Sequence, residues 1–356
     1  MNQDELQADV IKKSLEFYKD YRKGWLDLAM RAGKTRISIE IIRNMFPHSC
    51  KLLIAYPDNK LKDTWKEEMI KWKYDNIDIT YTNFSSLKKH VSGWWQFFIC
   101  DEFHSLSENE ASLVDQISAG YTLFLSGTIS KETKQKWPKF REIYRYTTSQ
   151  GIDNSILANY TITVHLVDLD NTIKTPNKKG KMLSEKQKYD NYTYVIQQMK
   201  YNGQNSMHLA LARNRLSLSS IGKVEYTKKL LNKLNDKRVL VFTGLADVAD
   251  SLDIYSYHSK STEDGHFKAF LASKLNHLAL AEMGKMGVTY PMLDSVILLN
   301  FTYNAEMSSQ LLNRAINLDY KGKIADLHVI CLNESPELKK VKESLSMLDS
   351  SKIKYI

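Results

Sequence analysis

Two short stretches hold residues whose types and order suit phosphate chemistry. The first is Ala29-Met30-Arg31-Ala32-Gly33-Lys34-Thr35, set between apolar Trp25-Leu26-Asp27-Leu28 and Ile37-Ser38-Ile39-Glu40-Ile41-Ile42. A strand, a turn and a helix in that order would use Gly33 for close backbone approach to phosphates and Lys34 for the β and γ oxygens. The Thr35 hydroxyl would ligate Mg²⁺, and the helix N-terminus would add partial positive charge. The second stretch is Phe98-Ile99-Cys100-Asp101-Glu102-Phe103-His104. Trp94 through Cys100 is an apolar run of the kind that forms a buried parallel strand, delivering Asp101 to a metal ion and Glu102 to an attacking water.

A lone Gly-Lys-Thr is common, and Leu28 stands where the usual loop pattern has its first glycine. The two stretches in this order are more specific. An apolar strand ending in Asp-Glu-x-His, after a strand-Gly-Lys-Thr-helix unit, resembles the paired nucleotide motifs of the superfamily-2 DExH-box helicases and translocases. The resemblance implies an α/β chain of two RecA-like domains with parallel sheets, ATP and Mg²⁺ between them, and nucleic acid along one face. It makes Lys34, Asp101, Glu102, His104, Gln310 and Arg314 the catalytic set, with Thr35 and Asp101 on the metal. Met30, Arg31, Ala32, Gly33, Lys34, Thr35, Arg36 and Gly287 become nucleotide contacts. Gln7 lies at the distance from which a family glutamine reads the adenine edge; its other reading is a solvated glutamine at a helix start.

Composition sets bounds on this. At 356 residues, 43% of them hydrophobic, the chain is long enough for two cores. Lys and Arg number 50 against 41 Asp and Glu, a net +9 that suits a polyanionic partner without identifying it. Cys50, Cys100 and Cys331 are widely spaced and two lie in apolar runs, which disfavours a disulfide framework or a zinc site and points to a reducing, cytoplasmic setting, a host's if the protein is viral. The N-terminus is polar and no apolar run approaches the roughly 20 residues of a membrane span, so neither a signal peptide nor a membrane partner is expected.

The elements that must position these residues follow in order. Leu6, Val10, Ile11, Leu15, Phe17 and Tyr18 have a helical period. Lys51 to Pro57 reads as a short buried strand, followed by an amphipathic helix over residues 61–72 in which Trp65 and Trp72 read as core packing. By resemblance, Pro57, Asn59 and Lys60 hold a nucleic-acid backbone, and Thr82 and Asn83, ending an alternating strand from Ile77, form a second such turn. A helix is expected around Glu108 to Ser118. Tyr121 to Leu125 is an apolar strand ending in Ser126-Gly127-Thr128, resembling the family's Ser-Ala-Thr element, whose hydroxyls join the acidic strand end to the nucleic-acid side. The polar stretch 149–155 is expected as the boundary, giving domains 1–148 and 149–356.

In the second domain, Tyr160 to Val167 alternates as a strand. The Lys- and Tyr-rich segment at about 170–222 reads either as a solvated loop and helix or as a basic-aromatic track for a single strand. A helix at 223–234 and strands at 237–244, 255–259 and 295–300 follow, with Thr243, Gly244 and Thr289 implied as nucleic-acid contacts. Leu278 to Pro291 resembles a turn of remodeller-type and branch-migrating members. Gln310 and Arg314 match the arginine-bearing element Gln-x-x-Gly-Arg-x-x-Arg, but Asn313 replaces its glycine and Asn317 its second arginine. The expectation is an ATP-dependent helicase or translocase, acting on DNA rather than RNA. Two alternatives stay open: an ATP-holding nucleic-acid scaffold without useful turnover, which Asn317 fits, and a motor subunit of a larger restriction or remodelling assembly.

Overall fold

A computed structural model describes the chain except residues 30, 75, 76, 128, 130, 178, 179, 262, 282–289, 300–313, 334 and 347, and the side chains of 60 and 131. Its described residues form two compact units, one ending at Ala158 and one beginning at Asn159. The first contains α1 (Gln3–Asp20), β1 (Lys23–Leu28), α2 (Lys34–Met45), β2 (Cys50–Tyr56), α3 (Asn59–Lys71) and β3 (Ile77–Asn83). It continues with β4 (Trp94–Asp101), α4 (Glu108–Gln116), β5 (Ser118–Ser126), α5 (Lys131–Lys136), β6 (Arg141–Tyr146) and α6 (Thr148–Asp153). The division falls after the expected boundary because residues 149–155 are not a linker. Thr147 and Gln150 cap α6 reciprocally, and Asn154 donates to the Tyr146 hydroxyl at 3.0 Å.

The six strands of the first unit are parallel, in the order β3-β2-β4-β5-β1-β6. After β1 the chain therefore crosses two strands to reach β2, so the loops following β1, β4 and β5 open together at the C-terminal edge, where open α/β sheets build their sites. Both faces of such a sheet are covered, which is why its strands read as unbroken apolar runs. Phe124 shows the core on one face. It is fully buried, stacks on Phe140 with ring centroids 3.9 Å apart, and meets the edge of Trp137. α1 lies along the sheet through Leu6, Val10 and Tyr18, started by a capping box of Asn2 and Glu5.

The second unit contains β7 (Asn159–Val167), β8 (Lys174–Pro176), β9 (Met182–Ser184), α7 (Glu185–Tyr201), α8 (Met207–Leu218), α9 (Ile221–Lys233) and β10 (Val239–Phe242). Then come α10 (Ala246–Asp250), β11 (Ser256–Tyr257), α11 (Gly265–Leu271), β12 (His277–Leu280), β13 (Ser295–Leu298), β14 (Ile324–Leu332), α12 (Pro336–Leu345) and β15 (Ile353–Tyr355). Seven of its strands form a parallel sheet in the order β11-β12-β10-β13-β14-β7-β15. The expected strands at 160–167, 237–244, 255–259 and 295–300 are β7, β10, β11 and β13. The stretch read as a turn from Leu278 starts as β12, and residues 282–289 lie outside the described residues. The Lys- and Tyr-rich segment is a β8–β9 hairpin followed by α7 and α8. The fold is α/β with two RecA-like units. No described helix is long and apolar enough to cross a membrane.

Candidate functional site

Three neighbouring strand ends build the site in the first unit. In the sheet register, Asp27 of β1 faces Ser126 of β5, and Asp101 of β4 faces Leu125. β1 runs into the phosphate-loop sequence, whose Gly33 has φ +86° and begins α2 with no side-chain cap. The positive φ favours glycine, and a Cβ here would lie 2.1 Å from Gln7 Nε2, so the end of that side chain would have to move. The first turn of α2 carries no acidic residue. Its uncapped N–H groups and helix dipole are thus left to an anion.

Lys34, the first residue of α2, holds its Nζ 3.0 Å from Glu102 Oε1, both side chains being largely buried. Burial alone would pull the Lys34 pKa down, but the carboxylates of Glu102 and Asp101 outweigh it and leave it raised, so the ammonium keeps its charge. Burial pushes the Asp101 carboxyl up to about 6, the Glu102 charge adding to the rise while Lys34 and the Trp65 N–H oppose it. Both oxygens of Asp101 are held: Oδ1 accepts the Glu102 N–H at 3.0 Å and Oδ2 accepts Trp65 Nε1–H at 2.9 Å. Glu102 itself has φ +52°, a left-handed backbone that costs a non-glycine residue roughly 1–2 kcal/mol. Strain of this kind concentrates where a side chain must be aimed.

His104 joins the acidic strand end to β5. Its Nδ1 is 2.8 Å from Ser126 Oγ and 3.4 Å from Glu102 Oε2, with the imidazole almost wholly buried. A line Ser126–His104–Glu102 therefore runs from the Ser-Gly-Thr element to the carboxylate. The expected partner of His104, Gln310, lies outside the described residues, as do Met30, Thr128, Gly287 and Thr289.

The remaining candidates separate into those at this site and those facing elsewhere. Gln7 is not a solvated residue: it is 3% exposed, its Nε2 donates to the Ala32 carbonyl at 3.0 Å, and its Oε1 finds no partner among the described residues. Arg31 is exposed with φ +62°, and Thr35 sits half-buried in the first turn of α2. Arg36, expected as a nucleotide contact, is instead paired with Asp4 at 2.8 Å, its guanidinium 4.3 Å from the Trp72 ring centroid. Pro57 and Asn59 lie at the start of α3, Asn59 exposed; the Lys60 side chain is outside the described part.

Two expected nucleic-acid contacts face inward. Thr82 is buried with its hydroxyl bonded to the Asn83 carbonyl at 3.3 Å. Thr243 is fully buried and donates to the Leu245 carbonyl at 2.9 Å, beside Gly244 at φ +70°. Both hydroxyls donate to nearby backbone carbonyls. In the second unit Arg314 is buried near Tyr290, whose hydroxyl burial pushes up to about 12 against the opposing Arg314 charge. Asn317 is also buried and donates to the Arg314 carbonyl at 3.2 Å.

Sequence reasoning missed two residues. Asp27 is a lone charge in an apolar strand, a visible signal. Burial raises its pKa, and Lys134 and Arg145 stand 3.6 and 3.5 Å away. Trp65 had no such signal, because nothing in a sequence separates an indole that only packs from one that donates.

Mg²⁺ takes oxygen ligands and keeps several waters. The Thr35 hydroxyl and Asp101 carboxylate are such donors. Among the described residues no three His, Cys, Asp or Glu converge as a metal cage.

No protein-family model matches the sequence, and no curated protein matches it. By structure the chain is similar to an ATP-dependent Type ISP restriction-modification enzyme, LlaBIII, bound to DNA. The TM-score is 0.64 at 14% sequence identity, covering 98% of this chain and 31% of that enzyme. As 532 solved chains match, the likeness establishes the fold and leaves function to the site.

Proposed function

We propose that this chain is a nucleic-acid-stimulated ATP hydrolase of the helicase or translocase kind, acting on DNA. The observation that carries the reading is the Lys34–Glu102 pair at 3.0 Å, beside Asp101 and the uncapped start of α2. It sets an ammonium beside two carboxylates, the residue types with which a phosphoryl-transfer site holds phosphate, metal and water. Bound Mg²⁺-ATP supplies an electrophilic phosphorus and a leaving group whose charge the ion offsets. Lys34 exchanges Glu102 for the β- and γ-phosphate oxygens. Glu102, so released, accepts a hydrogen bond from water and orients it, while His104 restrains its second oxygen. Gln7, with an unfilled acceptor, suits the adenine amino group, and Arg314 is assigned to transition-state charge. The structurally similar restriction-modification enzyme is bound to DNA, which agrees with the partner named here.

ATP hydrolysis measured with single-stranded, duplex and branched DNA and with RNA tests this reading. The expected result is hydrolysis that DNA stimulates and Lys34→Ala abolishes. A second reading, an ATP-holding scaffold or a weakly hydrolysing subunit of a larger assembly, is favoured by one observation. Asn317, in place of the second motif arginine, is buried and bonded to the Arg314 carbonyl, so it brings no charge to a phosphate. Nucleotide binding with no stimulated turnover would decide for it.

A further inference from the structure

We infer that residues 171–222 of the second unit form a binding surface for single-stranded nucleic acid, made of the β8–β9 hairpin, the outward row of α7 and the basic end of α8. This rests on the reading that the chain works on nucleic acid, and it adds a contact surface apart from the nucleotide site. The segment holds seven lysines and two arginines against two acids, Glu185 and Asp190, a net +7 out of the +9 of the whole chain. Charge so concentrated marks a place for a polyanion. Neither acid offsets it at the surface. Glu185 is 6% exposed, and its carboxylate accepts the Asp170 and Ile221 N–H groups, each at 2.9 Å, and the Ser220 hydroxyl at 3.2 Å. Asp190 is paired with Lys186 at 3.6 Å. Lys174, Lys181, Lys200 and Arg215 are exposed and form no ion pair among the described residues.

The tyrosines narrow the class of polyanion. Tyr189 is buried and Tyr192 half-buried, but Tyr194 and Tyr201 are 62% and 89% exposed. Asn191, Tyr194, Gln198 and Tyr201 follow at spacings of three and four, so they share one row of α7, and all four are exposed. The row is therefore two phenol rings among side-chain amides, without the Leu, Phe or Trp that a membrane surface would call for. Rings of this kind stack on any base, and amides both donate to and accept from base edges; a duplex hides the faces that a single strand exposes. α7 is also held in place without a ligand. Ser184 and Gln187 cap it reciprocally, Arg213 of α8 donates to the Thr193 hydroxyl at 3.2 Å with its guanidinium 5.6 Å from the Tyr189 ring centroid, and Lys188 donates to Thr175 of β8. Little ordering of the protein would then oppose binding.

Fluorescence anisotropy of the full chain tests this with a labelled oligo-dT, a duplex of equal length and polyglutamate, over a range of salt. The joint variant Tyr194→Ser with Tyr201→Ser should lose at least about tenfold in oligo-dT affinity, with its salt dependence and its duplex affinity unchanged. Lys174, Lys181, Lys200 and Arg215 changed together to Gln should flatten the slope of log affinity against log salt by about 2–3, at about 0.7 per phosphate contact on a single strand. Lys12, Lys19, Lys136 and Lys139, exposed in the first unit, changed together to Gln are the control of equal charge and should leave that slope in place. ATP affinity should be unchanged in all three proteins. Equal flattening in the control, or oligo-dT affinity kept by the tyrosine variant, overturns the inference. So does polyglutamate bound as tightly as oligo-dT and indifferent to the tyrosines, which would mark a surface for an acidic protein. A wild type that binds oligo-dT just as these variants do overturns the inference alone; one that binds no nucleic acid overturns the functional reading as well.

Discussion

Glu102 holds a left-handed backbone and divides its carboxylate between Lys34 and His104. Such a residue is expected to matter for turnover far more than for binding. Glu102→Gln should lower stimulated hydrolysis by about 10²–10⁴, the range for a lost general base, while leaving ATP affinity near wild type. Lys34→Ala should instead lose ATP affinity, which calorimetry of the two variants would separate. That Lys34 meets the acidic end of β4 was legible because a strand-turn-helix and an acidic strand end require little more than order. The burial of Thr82 and Thr243 was not, since at a strand end one residue of register decides whether a hydroxyl faces core or solvent.

At the scale of elements, β7 and β14 meet through a buried histidine pair. His165 Nε2 lies 3.0 Å from His328 Nδ1, and His165 Nδ1 lies 2.8 Å from the Tyr226 hydroxyl of α9. Burial lowers both imidazoles to about 4; the facing His328 and Lys233 add to this for His165, and Lys237 adds to it for His328 against the opposing Asp326. The native state therefore binds fewer protons than the unfolded one between about 4 and about 6.5. The stability they allow is full above that window and is lost as pH falls through it, on the order of a few kcal/mol for the pair. Melting followed from about pH 7 to about pH 5 should show a falling midpoint, and a smaller fall in His328→Gln. An unchanged midpoint would count against the buried neutral pair. Arg36→Ala, which unpins α2 from Asp4 and Trp72, should lower stability by under about 1 kcal/mol and spare most of the turnover. β15, three residues long, left no periodic signal to read, and α6 hid behind polar residues that serve as its caps.

For the whole molecule, a net charge of +9 bears on one expectation of the proposed DNA binding. DNA affinity should fall steeply with salt and depend little on base sequence, since backbone phosphates would carry it. Arg314→Ala should bring stimulated hydrolysis close to background, a finger's loss costing about 10³–10⁵. The two-lobed α/β plan was legible because buried parallel strands announce themselves as apolar runs. The burial of Thr243 and Asn317 in the second unit was less so, because each bonds to backbone nearby.

The most direct measurement is steady-state ATP hydrolysis by the wild type and by Glu102→Gln, each with and without DNA. We expect DNA to stimulate the wild type and to leave Glu102→Gln at background although it still binds ATP. Wild-type hydrolysis by Glu102→Gln, or no hydrolysis by the wild type with any nucleic acid, would contradict a nucleic-acid-driven motor built on the Lys34–Glu102 pair.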